Sequence, residues 1–197
     1  MMEQQAQKIE RRQCDVLVIG GGPAGSTVAP MLADKGHRVV MLEKAHHPRF
    51  HIGESLLPAN LPLFERMGIA EEVKAIGMLK PGAEFVSPNH DMSSVFCFAE
   101  AWDKSMPYAY QVRRDQFDTV LIRNAAKKGV EVHEGCKAKA VEFLPDNTVL
   151  VRAVHDDGSE SEWHARFLVD ASGRDTFLAN RFQIKHRNPK HNSSAIY

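Results

Sequence analysis

The sequence predicts an α/β fold in which a parallel central sheet is joined to an antiparallel β-meander. Residues 15–20 form a nearly all-apolar run, as is typical of a parallel strand buried on both faces. A glycine cluster follows this run and opens a helical segment, and the second half of the chain holds strand-like stretches separated by turn residues. The composition agrees, since 43% hydrophobic and 25% charged residues exclude a disordered chain.

Charge and cysteine content limit the functions that the chain can have. Its 25 Lys and Arg balance 25 Asp and Glu, which argues against broad electrostatic binding to nucleic acid or to acidic membranes. The three cysteines are irregularly spaced and form no Cys-x-x-Cys pair, so we expect reduced thiols in a cytoplasmic protein. The apolar stretch at 16–32 is too short and too rich in Gly and Pro for a membrane span. Residues 1–13 are polar and predict a mobile tail without a signal peptide.

The first half of the chain predicts one βαβ unit over residues 15–43. It consists of a strand at 15–20, a helix at 24–35 and a second strand at 37–42. A loop at 45–58, two short helices at 59–67 and 70–77, and strand-like runs at 82–86, 94–98 and 108–112 follow.

The second half predicts a helix and then mostly strands. Apolar residues recur at spacings of three and four in a helix over 115–128. A meander spans 130–166, with stretches at 137–144, 147–155 and 160–166 after a short strand at 130–133. The apolar run at 166–170 predicts a strand that returns to the parallel sheet.

The glycine cluster Gly20–Gly25 matches the pattern G-x-G-x-x-G between a predicted strand and a predicted helix. Glu43 ends the next predicted strand 18 residues later, and this context is the one that a Rossmann-like dinucleotide-binding unit requires. Gly20 permits the tight turn, Gly22 lets the backbone approach a pyrophosphate, and Gly25 lets the helix pack on the strand.

The residues beside these glycines complete the predicted dinucleotide site. Pro23 and Ala24 begin the helix, whose N-terminal N–H groups favour phosphate. Glu43 can accept hydrogen bonds from a ribose diol, and Lys44 follows it in the predicted site. Arg114 is a candidate for binding a phosphate, and Gly173 is a candidate for a turn in which the backbone comes close to the ligand. The alternatives at these two positions are a surface arginine and an ordinary turn.

Four motifs occur in the order found in flavoproteins of the aromatic hydroxylase and geranylgeranyl reductase superfamily, which the chain therefore resembles. They are Gly20–Gly25, Glu43, the R-x-x-F-D start at Arg114–Asp118 and the D-A-S-G-R segment at Asp170–Arg174. The resemblance implies bound FAD, with Glu43 on the adenosine ribose, Arg114 near the pyrophosphate, and Asp170 and Gly173 in the cofactor site. It also implies a discontinuous FAD-binding domain at 14–178, with substrate-domain strands inserted at about 80–112 and an incomplete substrate domain beginning at 179–197.

A narrower resemblance to flavin-dependent halogenases comes from the segment His51–Pro58. Its G-E-S residues, Gly53, Glu54 and Ser55, would run beside the flavin ring, and Glu54 would act as an acid or base or only as a capping carboxylate. The stretch 78–86 is similar to the one that carries the catalytic lysine of these enzymes, which places that lysine at Lys80. In this family reduced flavin, oxygen and halide give hypohalous acid, which reaches the lysine through a tunnel. A solvated surface lysine is the alternative for Lys80.

The resemblance implies an oxidoreductase that halogenates an aromatic or pyrrolic small molecule, free or tethered to a carrier protein. Halide and a separate flavin reductase would be its partners, with no nucleic acid, metal or membrane span. The halogenase pattern W-x-W-x-I-P does not occur, and family members are more than twice as long, so we expect the N-terminal portion of a longer enzyme. The alternatives are an FAD-dependent monooxygenase, a geranylgeranyl-type reductase and a non-catalytic FAD-binding fragment. Three loop histidines, His46, His47 and His51, lack the acid or cysteine neighbours of a metal site.

Overall fold

A six-stranded sheet forms the centre of the computed structural model, which describes residues 10–190. The strands are β1 (Glu10–Ile19), β2 (Val39–Leu42), β3 (Gly77–Lys80), β4 (Gly82–Ser87), β5 (Met92–Cys97), β6 (Ala109–Val112), β7 (Glu131–His133), β8 (Cys136–Phe143), β9 (Val149–His155) and β10 (Glu160–Asp170). The α-helices are α1 (Pro23–Ala33), α2 (Leu61–Met67), α3 (Ala70–Ile76), α4 (Arg114–Lys127) and α5 (Phe177–Arg181). No helix in this part of the chain combines the length and the apolar character that crossing a membrane requires.

The central sheet has the order β7-β2-β1-β10-β9-β8. Its first four strands are parallel, and β9 and β8 continue it as antiparallel strands. This arrangement confirms the predicted α/β class with a parallel sheet and a meander.

Both faces of the parallel strands are buried in hydrophobic cores. Val18 and Met41 belong to a core that includes Ile122 of α4, whereas Leu17 and Val40 belong to a core that includes Trp163. Successive strand residues point to opposite faces of a sheet, so a strand covered on both sides must be apolar at nearly every position. The apolar runs in β1 and β2 follow from this double burial.

Two predicted strands prove to be one. Stretches 160–166 and 166–170 form the continuous strand β10, which pairs antiparallel with β9 over its first half and parallel with β1 along most of its length. The segment at 130–133 also differs from the prediction, because β7 pairs with β2 in the parallel sheet. The meander therefore begins at Cys136.

The prediction of a mobile tail over residues 1–13 is wrong for residues 10–13, because these residues belong to β1 and pair with β10. Charged side chains stabilise this extension, because Arg11 contacts Glu162 at 3.1 Å and Arg12 contacts Glu131 at 2.9 Å. The guanidinium of Arg12 also lies 5.1 Å from the ring centre of Trp163. Residues 1–9 lie outside the described part of the chain.

A second group of elements packs beside α4. Phe64 of α2, Val73 of α3, Tyr110 of β6 and Phe117 of α4 share one core. Strand β6 pairs with β3, a strand that the sequence analysis does not predict, so Lys80 ends a strand and does not precede one. The hairpin β4–β5 leaves Phe85 and other apolar side chains exposed. Whether these elements form a separate substrate domain stays a prediction, and residues 191–197 of its predicted continuation lie outside the described residues.

Candidate cofactor site and lysine site

The glycine turn between β1 and α1 has the geometry that its sequence predicts. Gly20 has a φ of +103°, which L side chains rarely adopt. A Cβ atom on Gly25 would lie 1.9 Å from the carbonyl oxygen of Gly20, so this position accepts only glycine. In contrast, a Cβ atom on Gly22 would meet Nη2 of Arg49 at an ordinary 3.6 Å. The backbone at Gly22 is therefore open to a ligand at the N-terminus of α1.

The carboxylate of Glu43 is buried and held by two backbone donors. Its Oε2 accepts the N–H of Gly21 at 2.6 Å, and its Oε1 accepts the N–H of Ala45 at 2.8 Å. Only 5% of the residue is exposed. Because a carboxylate has about four lone-pair positions, both oxygens keep capacity for a ligand hydroxyl.

A cleft of about 630 Å³ begins at the glycine turn and passes Glu43. Its basic side chains are Lys44, Arg49, Arg114, Lys137 and Arg174, and its acidic ones are Glu43 and Asp175. Of the predicted cofactor residues, Gly20, Gly22, Pro23, Ala24, Glu43, Lys44, Arg114 and Gly173 line it. Gly25, Gly53, Glu54, Ser55 and Asp170 do not line it. The excess of basic groups makes the cleft suited to an anionic ligand.

Arg114 and Arg49 converge on one buried carboxylate beside the cleft. Two nitrogens on one edge of the Arg114 guanidinium donate to Asp118, with Nε–Oδ1 at 2.8 Å and Nη2–Oδ2 at 3.0 Å. Nη2 of Arg49 lies 3.5 Å from the same Asp118, whose side chain is fully buried. Asp118 therefore orients two arginines that line the cleft, and Arg49 lies near the open face of Gly22. Arg49 lies in no recognisable phosphate motif, and Asp118 is only the last residue of the predicted R-x-x-F-D motif, so their contact is not predictable from the sequence.

The segment after β10 is shaped by Asp170 and Gly173. The carboxylate of Asp170 accepts the N–H groups of Ser172 at 3.0 Å and Leu178 at 2.7 Å, so it folds the backbone toward α5. Gly173 has a φ of +62°. Lys44 pairs with Asp175 across the cleft edge, and this hydrogen bond lowers the pKa of Asp175.

Lys80 meets the G-E-S segment at a second place, outside the cleft lining. Its Nζ donates to Oγ of Ser55 at 2.6 Å and to the carbonyl oxygen of Leu56 at 2.8 Å. The same Nζ lies 5.4 Å from the ring centre of Phe98. The structure thus brings together the two segments that carry the halogenase resemblance. Glu54 accepts the N–H of Gly53 at 3.0 Å, and its predicted roles stay predictions.

The loop histidines contact separate partners. His46 pairs with Asp156 at 2.7 Å, His47 with Glu134 at 2.6 Å, and His51 with the carbonyl oxygen of Ile52 at 2.8 Å. Across residues 10–190, no three His, Cys, Asp or Glu side chains gather as a metal site would need.

All three cysteines are free thiols, and one of them, Cys136, lines the cleft. Burial raises the pKa of Cys136 to about 11 and that of Cys14 to about 12, because it disfavours the thiolate. The thiol of Cys136 is therefore protonated at neutral pH and forms an apolar part of the cleft wall.

Comparison with known proteins identifies the family. Residues 13–195 match the family model for the FAD binding domain. The chain belongs to this FAD-binding family. Its relatives include the flavin-dependent halogenase armH3 of Armillaria mellea, 40% identical over 88% of this chain and 34% of that protein. Another is the 1H-pyrrole-2-carbonyl-[peptidyl-carrier protein] chlorinase of Pseudomonas fluorescens, 34% identical over 93% of this chain and 44% of that protein.

The solved structure of the myxobacterial chondrochloren halogenase CndH also resembles the FAD-binding chain. Its TM-score is 0.78 at 42% identity, covering 84% of this chain and 38% of CndH. The chain spans less than half the length of each of these three proteins. FAD, the cofactor of the family, fits the site described above. Gly22 leaves room for its pyrophosphate, the cleft is basic, and the buried Glu43 is an acceptor for its ribose.

Proposed function

We propose that the complete protein carrying these 197 residues is a flavin-dependent halogenase. The observation that carries the proposal is the contact between Lys80 and Ser55, because it joins the halogenase-like lysine to the G-E-S segment. The relatives support the same activity, since armH3 and CndH are both halogenases.

The chain's own residues have distinct roles toward FAD in this proposal. The glycine turn and the N-terminus of α1 bind the pyrophosphate through backbone N–H groups. Arg49 and Arg114, oriented by Asp118, add positive charge beside it. Glu43 accepts hydrogen bonds from the adenosine ribose. Gly53 and Glu54 stay predicted neighbours of the flavin ring.

Lys80 acts after the cofactor chemistry. Bound reduced FAD supplies the electrons with which oxygen and halide give hypohalous acid. Lys80 then positions the electrophilic halogen beside the substrate, a role that suits a compact amine with rotatable donors. Its hydrogen bonds to Ser55 and Leu56 hold the amine in one place.

The class of substrate follows from the reactivity of the electrophilic halogen, which attacks electron-rich rings. We propose an electron-rich aromatic or pyrrolic ring, free or tethered to a carrier protein as the name of the Pseudomonas fluorescens chlorinase states for its own substrate. Halide and a separate flavin reductase are the further partners. We also propose that the protein acts in the cytoplasm, which its three free thiols support.

The proposal is tested by the mass of the product. The complete protein would be supplied with FAD, a flavin reductase, NADH and a panel of phenols, indoles and carrier-bound pyrroles, with chloride or bromide as the halide. A halogenase gives products whose isotope pattern changes with the halide. Products that gain only oxygen, regardless of the halide, would instead show a monooxygenase.

A further inference from the structure

Strand β6 places Ser55 and Lys80 on one face. Ser55 forms a bridge with Gln111 on one side of β6, and Lys80 pairs with Ala109 on the other side. Ala109 and Gln111 are two residues apart, so their side chains point to the same face of the strand. Ser55 and Lys80, which lie directly opposite these two residues on the neighbouring segments, have their side chains on that face too. The lysine side chain can therefore cross β6 and reach the serine hydroxyl.

The Lys80 ammonium contacts three residues from two segments of the chain. Ser55 accepts one hydrogen bond at 2.6 Å, the carbonyl oxygen of Leu56 accepts another at 2.8 Å, and Phe98 places its ring at 5.4 Å. The Leu56 backbone is itself fixed, because its N–H donates to the carbonyl oxygen of Tyr110 at 3.0 Å. Of the two hydrogen-bond acceptors, only the Ser55 hydroxyl belongs to a side chain.

We propose that Ser55 is a positioning residue for Lys80 and does not contact the flavin. Ser55 does not line the cleft, and its Oγ faces the lysine amine. The hydrogen bond confines Nζ to one place on a long, flexible side chain, so that the amine is already located when an electrophile arrives. This role rests on the proposed halogenase function, whereas the contact itself can be tested on the 197-residue chain alone.

The first experiment measures acetylation of Lys80 by acetic anhydride in the 197-residue chain, using mass spectrometry. The variants are Ser55→Ala, the conservative Ser55→Thr, and Ser93→Ala on exposed β5 as a matched control. We expect Ser55→Ala to raise the labelling rate of Lys80 about fivefold, because the amine loses a charge-assisted hydrogen bond. Lys104, which is exposed, should not change. Ser55→Thr and Ser93→Ala should match the parent. An unchanged Lys80 rate in Ser55→Ala would overturn the proposal.

The second experiment measures the ratio of halogenated product to oxygen consumed in the complete protein. Ser55→Ala should lower this ratio about tenfold while FAD affinity stays at the parental value, and Ser55→Thr should restore it.

Weakened FAD binding in Ser55→Ala, with normal lysine labelling, would assign Ser55 to the flavin and contradict the proposal. A normal ratio in Ser55→Ala combined with a lost product in Lys80→Ala would reject only the role of Ser55. A normal ratio in both variants would reject the role of Lys80, and with it that of Ser55, in a protein that is nevertheless a halogenase. If no halogenated product forms at all, the proposed function fails together with the role of Ser55 in it, and acetylation still tests the contact between Ser55 and Lys80.

Discussion

The carboxylate of Glu43 accepts the backbone N–H of Gly21 at 2.6 Å, which ties the end of β2 to the glycine turn after β1. One buried acid therefore shapes the phosphate-binding backbone and also faces the cleft where a ribose would lie. Substitutions at these positions should separate effects on folding from effects on FAD binding.

Two glycines of the turn should respond differently to alanine. Gly22→Ala should leave the melting temperature unchanged, because its Cβ has room in the protein, but it should weaken FAD binding by filling the space next to the phosphates. Gly25→Ala should lower the free energy of unfolding by about 3 kcal/mol, since its Cβ would overlap the backbone of Gly20. Calorimetry and flavin titration measure the two effects. Equal melting temperatures for the two variants would contradict this account of the turn.

Glu43→Ala should weaken FAD binding by about 1–3 kcal/mol, the usual cost of losing hydrogen bonds to a charged acceptor. Glu43→Gln should be nearly as harmful, because its amide NH₂ would face either the Gly21 or the Ala45 backbone N–H. Quenching of flavin fluorescence by the apoprotein measures both affinities. Glu142→Ala, on the exposed side of β8, is the control and should bind like the parent. A Glu43→Gln variant with parental affinity would show that the two backbone contacts do not matter.

Asp118→Ala should lower the free energy of unfolding by about 3–5 kcal/mol, because it leaves Arg114 and the less buried Arg49 without their carboxylate. Asp115→Ala, which breaks an exposed pair with Arg113 on the same helix, should cost less than about 1 kcal/mol. Urea denaturation of the two variants gives the comparison. Similar losses in both would contradict the role of Asp118 as a buried anchor of the arginines.

Iodoacetamide at pH 8 should label Cys97 and spare Cys14 and Cys136 in the folded protein. Cys97 is exposed, whereas burial raises the pKa of the other two thiols to about 12 and about 11, so few reactive thiolates form. Labelling of Cys136 should increase as the pH rises toward 11. Mass spectrometry after proteolysis identifies the modified residues, and denatured protein provides the fully labelled control. Rapid labelling of Cys136 at pH 8 would contradict a protonated cleft wall.

The sequence predicts those parts of the fold whose signals are local. Gly20–Gly25 and Glu43 lie in one βαβ unit, and their roles depend on backbone conformation within that unit. The apolar runs of β1 and β2 likewise reveal strands buried on both faces.

The parts that sequence analysis missed depend on partners distant in the chain. Strand β3 has no β-branched residues, and its pairing with β6 lies some thirty positions away. The start of β1 is charged, so its sequence resembles that of a mobile tail. Only the structure shows that Glu162 and Glu131 lie beside it and pair with its arginines. The position of Arg49 beside the cleft is explained by its contact with Asp118, which lies 69 residues later in the sequence.

The most direct test of the central proposal is the fate of oxygen and halide in the Lys80→Ala variant of the complete protein. We expect FAD binding and oxygen consumption near the parental values, because Lys80 lies outside the cofactor cleft. Halogenated product should fall at least a hundredfold, and free hypohalous acid should appear in a chemical trap. Lys80→Arg should also fail, since a guanidinium is bulkier and stays protonated. A Lys80→Ala enzyme that forms halogenated product at the parental rate would contradict the account.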